Sequence, residues 1–104
     1  MQTISGPDRA RLHLSGVFDG SRAMQLVECL RREHAAEIVV DFSDVKRFEA
    51  FGVDVLIREL AGLRGAPTSV RCCGAPPWVT ERLDEIGVAV SSSLRHPRWA
   101  PWAR

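Results

Sequence analysis

The sequence predicts an α/β domain built on a mixed central sheet, with elements in the order β-β-α-β-α-β-α-β. Three observations carry that prediction. Short apolar or alternating runs are bounded by turn residues, and they are interleaved with three stretches whose apolar residues recur at helical spacing. Ile38-Val39-Val40-Asp41-Phe42 is a near-continuous apolar run rich in β-branched residues, which suits a strand covered on both faces. Strands that alternate with helices imply parallel crossovers, with the helices as cover.

The elements follow in order. Gln2 to Ser5 reads as a short edge strand, Gly6-Pro7-Asp8 as a turn, and Arg11 to Phe18 as a strand whose Leu12, Leu14 and Phe18 alternate with polar or small residues. The two strands are expected to pair as a hairpin. Asp19 or Ser21 can cap a helix running to about Glu33, with Ala23, Leu26, Val27 and Leu30 on one face. Glu28, Arg31 and Arg32 lie off that face, as a solvated surface. The central strand ends in Ser43-Asp44, read as turn chemistry, and after Gly52 the residues Val53, Leu56, Ile57 and Leu60 define a second helix reaching Leu63. Gly65-Ala66-Pro67 breaks the chain, and Thr68 to Cys73 resumes as a strand. Pro76-Pro77 opens a third helix, where proline is tolerated because no intrahelical amide bond is lost. Val79, Leu83 and Ile86 give it a buried stripe, Gly87 ends it, and Val88-Ala89-Val90 returns to the sheet.

Composition fits one module. With 104 residues and 45% hydrophobic content, the chain can bury a core without disulfides or metal. It has no apolar run near the roughly 18 to 20 residues that span a bilayer, and no basic, apolar leader, so a cytoplasmic protein without membrane insertion is expected. Cys29, Cys72 and Cys73 are odd in number and include a neighbouring pair, unlike a secreted disulfide framework. All 13 acids and 11 of the 14 basic residues precede Leu94, leaving a mildly acidic body without the basic stripe of a nucleic-acid binder.

Candidate chemistry is sparse. Cys72 and Cys73 point to opposite faces of a strand, poorly arranged to share a metal, and read as core and surface thiols. His13, His34 and His96 lack ligand spacing, and His13 falls on the polar side of an alternating strand, where it should face solvent. Asp41 and Asp44 flank the end of the central strand and are read as turn-forming and capping residues rather than as an acid/base pair. There is no phosphate-binding Gly-x-x-x-x-Gly-Lys-Ser loop, no Gly-x-Ser-x-Gly elbow and no nucleophile with an evident base, so neither catalysis nor a cofactor is expected.

The most informative segment is Glu49-Ala50-Phe51-Gly52, at the start of the second helix, where free backbone amides and the positive end of the helix dipole favour an anion. Together with Val40-Asp41-Phe42-Ser43-Asp44-Val45 before it and Val53-Asp54 after it, this segment resembles the signature of the STAS family, the sulfate-transporter and anti-sigma-factor-antagonist domains. Leu12-His13-Leu14-Ser15-Gly16-Val17-Phe18-Asp19 is similar to that family's second strand and its exit, and Ile86-Gly87-Val88 to its last helix-to-strand turn. The resemblance implies a STAS-like fold over residues 1–93, followed by a basic, Trp- and Pro-containing tail over 94–104.

The family carries Asp-Ser-Ser-Gly at this helix start, with the serine before the glycine phosphorylated in many members. Here Phe51 occupies the phosphoacceptor position and Ala50 the serine before it, so neither has a hydroxyl and the phosphorylation site is degenerate. Glu49 keeps an acid at the family's Asp position, worth about 0.3 to 1 kcal/mol near a helix N-terminus. Two accounts of Phe51 stand: packing beneath the helix, or exposure as an aromatic anchor for a partner. The resemblance implies a non-catalytic bacterial signalling module that binds an anti-sigma factor or kinase-type ATPase constitutively, or under control of the partner's nucleotide state. The partner-binding residues are Asp19, Ser21, Asp44, Glu49, Phe51 and Asp54. Alternatives are a subunit bracing an ABC-type ATPase, and a domain binding a nucleotide or small anion at the helix start; homodimerisation stays open. The tail, with Trp99 and Trp102 among arginines and prolines, can pack on the domain, dock on a partner or remain unordered.

Overall fold

In the computed structural model the described residues are 1–6, 8–33, 35–62 and 69–91. The expectations for Pro7, His34, residues 63–68 and the tail lie outside them. Among the described residues the chain order is β1 (Gln2–Ser5), β2 (Arg9–Phe18), α1 (Gly20–Arg32), β3 (Glu37–Phe48), α2 (Ala50–Gly62), β4 (Ser69–Cys73), α3 (Pro77–Glu85) and β5 (Ala89–Ser91). The predicted α/β class and element order hold.

The five strands lie side by side in chain order, β1 antiparallel to β2 and every later neighbour parallel. Three right-handed crossovers stepping in one direction put all three helices on the same face of the sheet. That face holds the core. Leu12 and Leu14 of β2, Ile38, Val40 and Phe42 of β3 and Cys72 of β4 meet Leu26, Val27 and Leu30 of α1, Val53, Leu56 and Leu60 of α2, and Val79 and Leu83 of α3 in one cluster. The stripe predicted for α1 is the one that is buried.

The largest departure from the sequence reading is the end of β3. β3 does not turn at Ser43-Asp44 but continues to Phe48, its outer half exposed or half-buried while its inner half is closed. Pairing with β2 carries it onward through two register shifts, between His13 and Ser15 and between Gly16 and Val17. Such bulges bend and twist a strand without ending it. The extension carries Phe48 to the carboxyl end of the sheet, and α2 begins two residues later at Ala50, earlier than its apolar spacing suggested.

The capping roles of Asp41 and Asp44 also give way. Asp41 sits mid-strand, 3% exposed, and pairs with the equally buried Arg11 of β2. Its carboxylate also accepts a hydrogen bond from the Ser43 amide at 2.9 Å. Burial alone would push the Asp41 carboxyl up, but the Ser43 side chain and amide together with the Arg11 guanidinium outweigh it and hold the group below its ordinary value of 3.8. Asp44 lies 2.6 Å from His13 Nε2, so His13 is held between β2 and β3 rather than facing solvent freely. Cys73 is not a surface thiol either: it is 4% exposed, on the face opposite Cys72. Burial, then the neighbouring Cys73 thiol, pushes Cys72 up to about 12. Burial, then the Asp41 charge, pushes Cys73 up to about 11. Neither is a ready nucleophile at neutral pH.

Candidate functional site

The carboxyl ends of the parallel strands and the starts of the helices meet at one end of the molecule, where open α/β sheets expose backbone and side chains for recognition. The floor there is aromatic. Phe18 and Phe42 stand edge to face with centroids 5.4 Å apart, and Phe48 lies 5.7 Å from Phe18 and 5.6 Å from Phe42. Trp78, in the first turn of α3, stacks edge-on to Phe48 at 6.3 Å and is 42% exposed. Contacts of this kind add about 0.5 to 1.5 kcal/mol each beyond area burial.

Above the floor, α1 and α2 start against each other. Asp19 caps α1, its carboxylate accepting from the Arg22 amide at 2.9 Å. The Glu49 amide donates to the Phe18 carbonyl at 3.0 Å, and the Val53 amide donates to the Glu49 carbonyl at 3.1 Å, which fixes where α2 begins. The two starts come so close that a Cβ on Gly52 would stand 2.6 Å from the Asp19 carbonyl carbon. The glycine is therefore required by backbone approach, and the geometry leaves little room for an anion between the two starts.

Phe51, the first α2 residue after Ala50, is 67% exposed. Of the two accounts of Phe51, exposure is the one the structure bears out, while the half-buried Phe48 joins the aromatic floor. Phe51 is not loose: a Cβ on Gly20 would fall 2.7 Å from Phe51 Cε2, so the ring lies against the bare backbone at the start of α1. An exposed side chain held by its neighbour loses less freedom when a partner covers it.

Of the residues singled out in sequence, Asp19, Ser21, Glu49 and Phe51 converge on the α1 and α2 starts. Ser21 is exposed one position after Gly20, and Glu49 lies 3.8 Å from Arg47, a solvated contact worth little. Asp54, one turn along α2, pairs with Arg82 of α3 and joins those two helices. Asp44 belongs to a different group, in close contact with His13. Sequence reasoning missed Gly20 and Trp78. A glycine at the first position of a helix, where propensity argues against it, was the available signal for the former, and a tryptophan directly after Pro76-Pro77 for the latter.

No cluster of three or more His, Cys, Asp or Glu that could hold a metal occurs among the described residues, and none of their helices is long and apolar enough to cross a membrane. A family model described as "Mlab, STAS domain" matches residues 1–95. The chain belongs to the STAS family. The fold of this STAS domain is similar to that of the anti-sigma factor antagonist SpoIIAA in its unphosphorylated form, with 12% identity, a TM-score of 0.64, and 88% of this chain and 87% of that one covered. RsbS from Moorella thermoacetica is similar at 20% identity and a TM-score of 0.64, covering 89% and 86%. The STAS domain of a SulP transporter from Vibrio cholerae is similar at 17% identity and a TM-score of 0.58, covering 81% and 67%. At these identities the likeness is one of fold. No curated protein matches this chain.

Proposed function

We propose that this chain is a non-catalytic interaction module of the anti-sigma factor antagonist kind, working in the cytoplasm, which binds a regulatory protein through the surface centred on Phe51. The partner is an anti-sigma factor or a kinase-type ATPase. The observation that carries the reading is that an exposed phenylalanine, steadied by Gly20, stands where relatives in the family carry a phosphorylated serine. Without a hydroxyl at 50 or 51, the surface is always in its binding form, and any control comes from the partner. Trp78, packed on Phe48 in the first turn of α3, is a second exposed aromatic residue at this end of the sheet, while Asp19, Ser21, Glu49 and Asp54 supply polar groups, the residue types found in interface hot spots and their rims.

The test is affinity for the purified kinase-type ATPases and anti-sigma factors of the source organism, measured for wild type, Phe51→Asp and Glu49→Arg. Loss of a central aromatic anchor costs about 2 kcal/mol or more, so Phe51→Asp weakens binding roughly 30-fold or beyond. The same change leaves the fold intact, because an acid in the first helical turn is favourable by about 0.3 to 1 kcal/mol. Wild-type affinity in Phe51→Asp would remove Phe51 from the interface.

A further inference from the structure

Among the described residues β1 ends the sheet, pairs with β2 alone and keeps all four of its residues exposed. The Gly6 amide donates to the Arg9 carbonyl at 2.6 Å, and this fixes the antiparallel alternation. Gln2 and Ile4 bond inward, opposite His13 and Arg11, so Thr3 and Ser5 turn their amides and carbonyls to the outer side. No described strand lies beyond them. Edges of this kind are normally blunted by a charge, a proline or a bulge. Gln2-Thr3-Ile4-Ser5 contains no charge or proline, and its register to β2 runs without a shift. Side chains directly opposite each other share a face, so Ile4, 36% exposed, lies with Arg11 on the side away from the helices. Ser5 lies on the helix side, its hydroxyl donating to Glu33 Oε2 at 3.2 Å.

We infer that β1 pairs antiparallel with β1 of a second copy of this chain, about a twofold axis at Ile4, joining two five-stranded sheets edge to edge. The edge is complementary to itself. Turned about Ile4, Thr3 of one copy stands opposite Ser5 of the other, and both present outward groups, so each such pair exchanges both its main-chain hydrogen bonds. Ile4 then meets Ile4 in the intervening pair, where α-carbons are about 4.5 Å apart, and no charge in the strand opposes its own image. The helix side is matched as well. α1 runs alongside β1 in the same direction, since Met1 borders the groove that Met24 and Glu28 line, while Ser5 reaches Glu33. In the pair the two α1 helices are therefore antiparallel, and each bears exposed Glu28 and Arg32, one turn apart and opposite in sign, so that the acid of one copy can meet the base of the other. Exposed Met1 and Met24 add apolar surface beside that seam. An unrelated strand would find the hydrogen bonds but not this matched pattern, which selects a second copy as the occupant. The axis stands across the sheet, so the two Phe51 surfaces face opposite ends of the dimer and both stay open.

Sedimentation velocity on the full chain from about 1 to 200 μM tests this, a range suited to the affinity of a small interface. A concentration-dependent dimer is expected. Ile4→Lys sets two like charges against each other at the axis and should weaken the dimer about tenfold or more, with the thermal midpoint unchanged. Phe51→Asp should leave the dimer as it is, which keeps this result separate from that of the partner surface. Register is read by oxidation in a Cys29→Ser background, where the remaining native thiols, Cys72 and Cys73, are buried. Ile4→Cys should give a disulfide-linked dimer, because its α-carbon lies close enough to its own image for a disulfide, which spans about 4.4 to 6.8 Å. Gln2→Cys, on the same face but about 13 Å from its image, should not. Should Ile4→Lys unfold the domain, the two cysteine variants decide by themselves. A monomer throughout the range, a dimer indifferent to Ile4→Lys or abolished by Phe51→Asp, failure of Ile4→Cys to crosslink, or crosslinking through position 2 instead, overturns the inference.

Discussion

Asp41→Ala lowers the thermal midpoint by about 12 °C or more. The substitution removes a carboxylate from a site where Arg11 remains buried, and breaking a buried pair by taking one partner costs about 3 to 5 kcal/mol. In a domain near 100 residues each kcal/mol moves the midpoint by about 4 to 8 °C. Total stabilities are only about 5 to 15 kcal/mol, so the variant sits close to unfolding. The pair itself is not what makes the domain stable: Arg11→Met with Asp41→Leu should recover most of the loss, since an apolar replacement beside Val39 and Cys73 avoids stripping two charges of water. A pH series adds an independent check. The folded-state pKa of Asp41 lies below its ordinary value of 3.8, so its contribution is complete above that value and is lost as pH falls through it toward the folded pKa. Urea midpoints of the wild type should therefore fall below about pH 4, and those of Asp41→Asn should lack that component. A wild-type midpoint in Asp41→Ala would show that the charge is not buried.

Gly52→Ala and Gly62→Ala move stability in opposite directions. Both glycines lie in α2, and alanine gains about 1 kcal/mol over glycine inside a helix. At Gly62 nothing described lies within 4 Å of the new methyl, so some part of that gain is realised. At Gly52 the methyl would meet the Asp19 backbone at 2.6 Å, and neither backbone can step aside without moving a helix start. Overpacking of this sort costs about 1 to 3 kcal/mol and sometimes more, which exceeds the propensity gain. Chemical denaturation of the two variants measures both signs, and because Gly52 adjoins Phe51, Gly52→Ala should also weaken partner capture. Equal stabilisation of the two would mean that α1 and α2 do not start in contact.

Much of the fold was legible because periodicity is a local property. Leu26, Val27 and Leu30, or Val53, Leu56 and Leu60, announce a buried stripe whatever they pack against. The polar pair Ser43-Asp44 misled for the complementary reason. Its residues favour a turn, but the ladder to β2 holds them extended, and a pairing partner some thirty positions away leaves no mark on local composition. His13 was misplaced likewise: it occupies the outward position of an alternating strand, which reads as solvent until a counter-charge is known.

The site divides along the same line. Chain chemistry by itself established that positions 50 and 51 bear no hydroxyl, that a helix starts there and that an acid precedes it, because these depend on residue identity and on neighbours within one turn. That Phe51 faces outward against the start of α1 depended on how closely α1 and α2 approach, which the missing side chains at Gly20 and Gly52 allow. The tertiary arrangement also buried Arg11, Val39, Asp41 and Cys73. Burial of a charge is a property of everything that surrounds it, and no stretch of sequence contains its own surroundings.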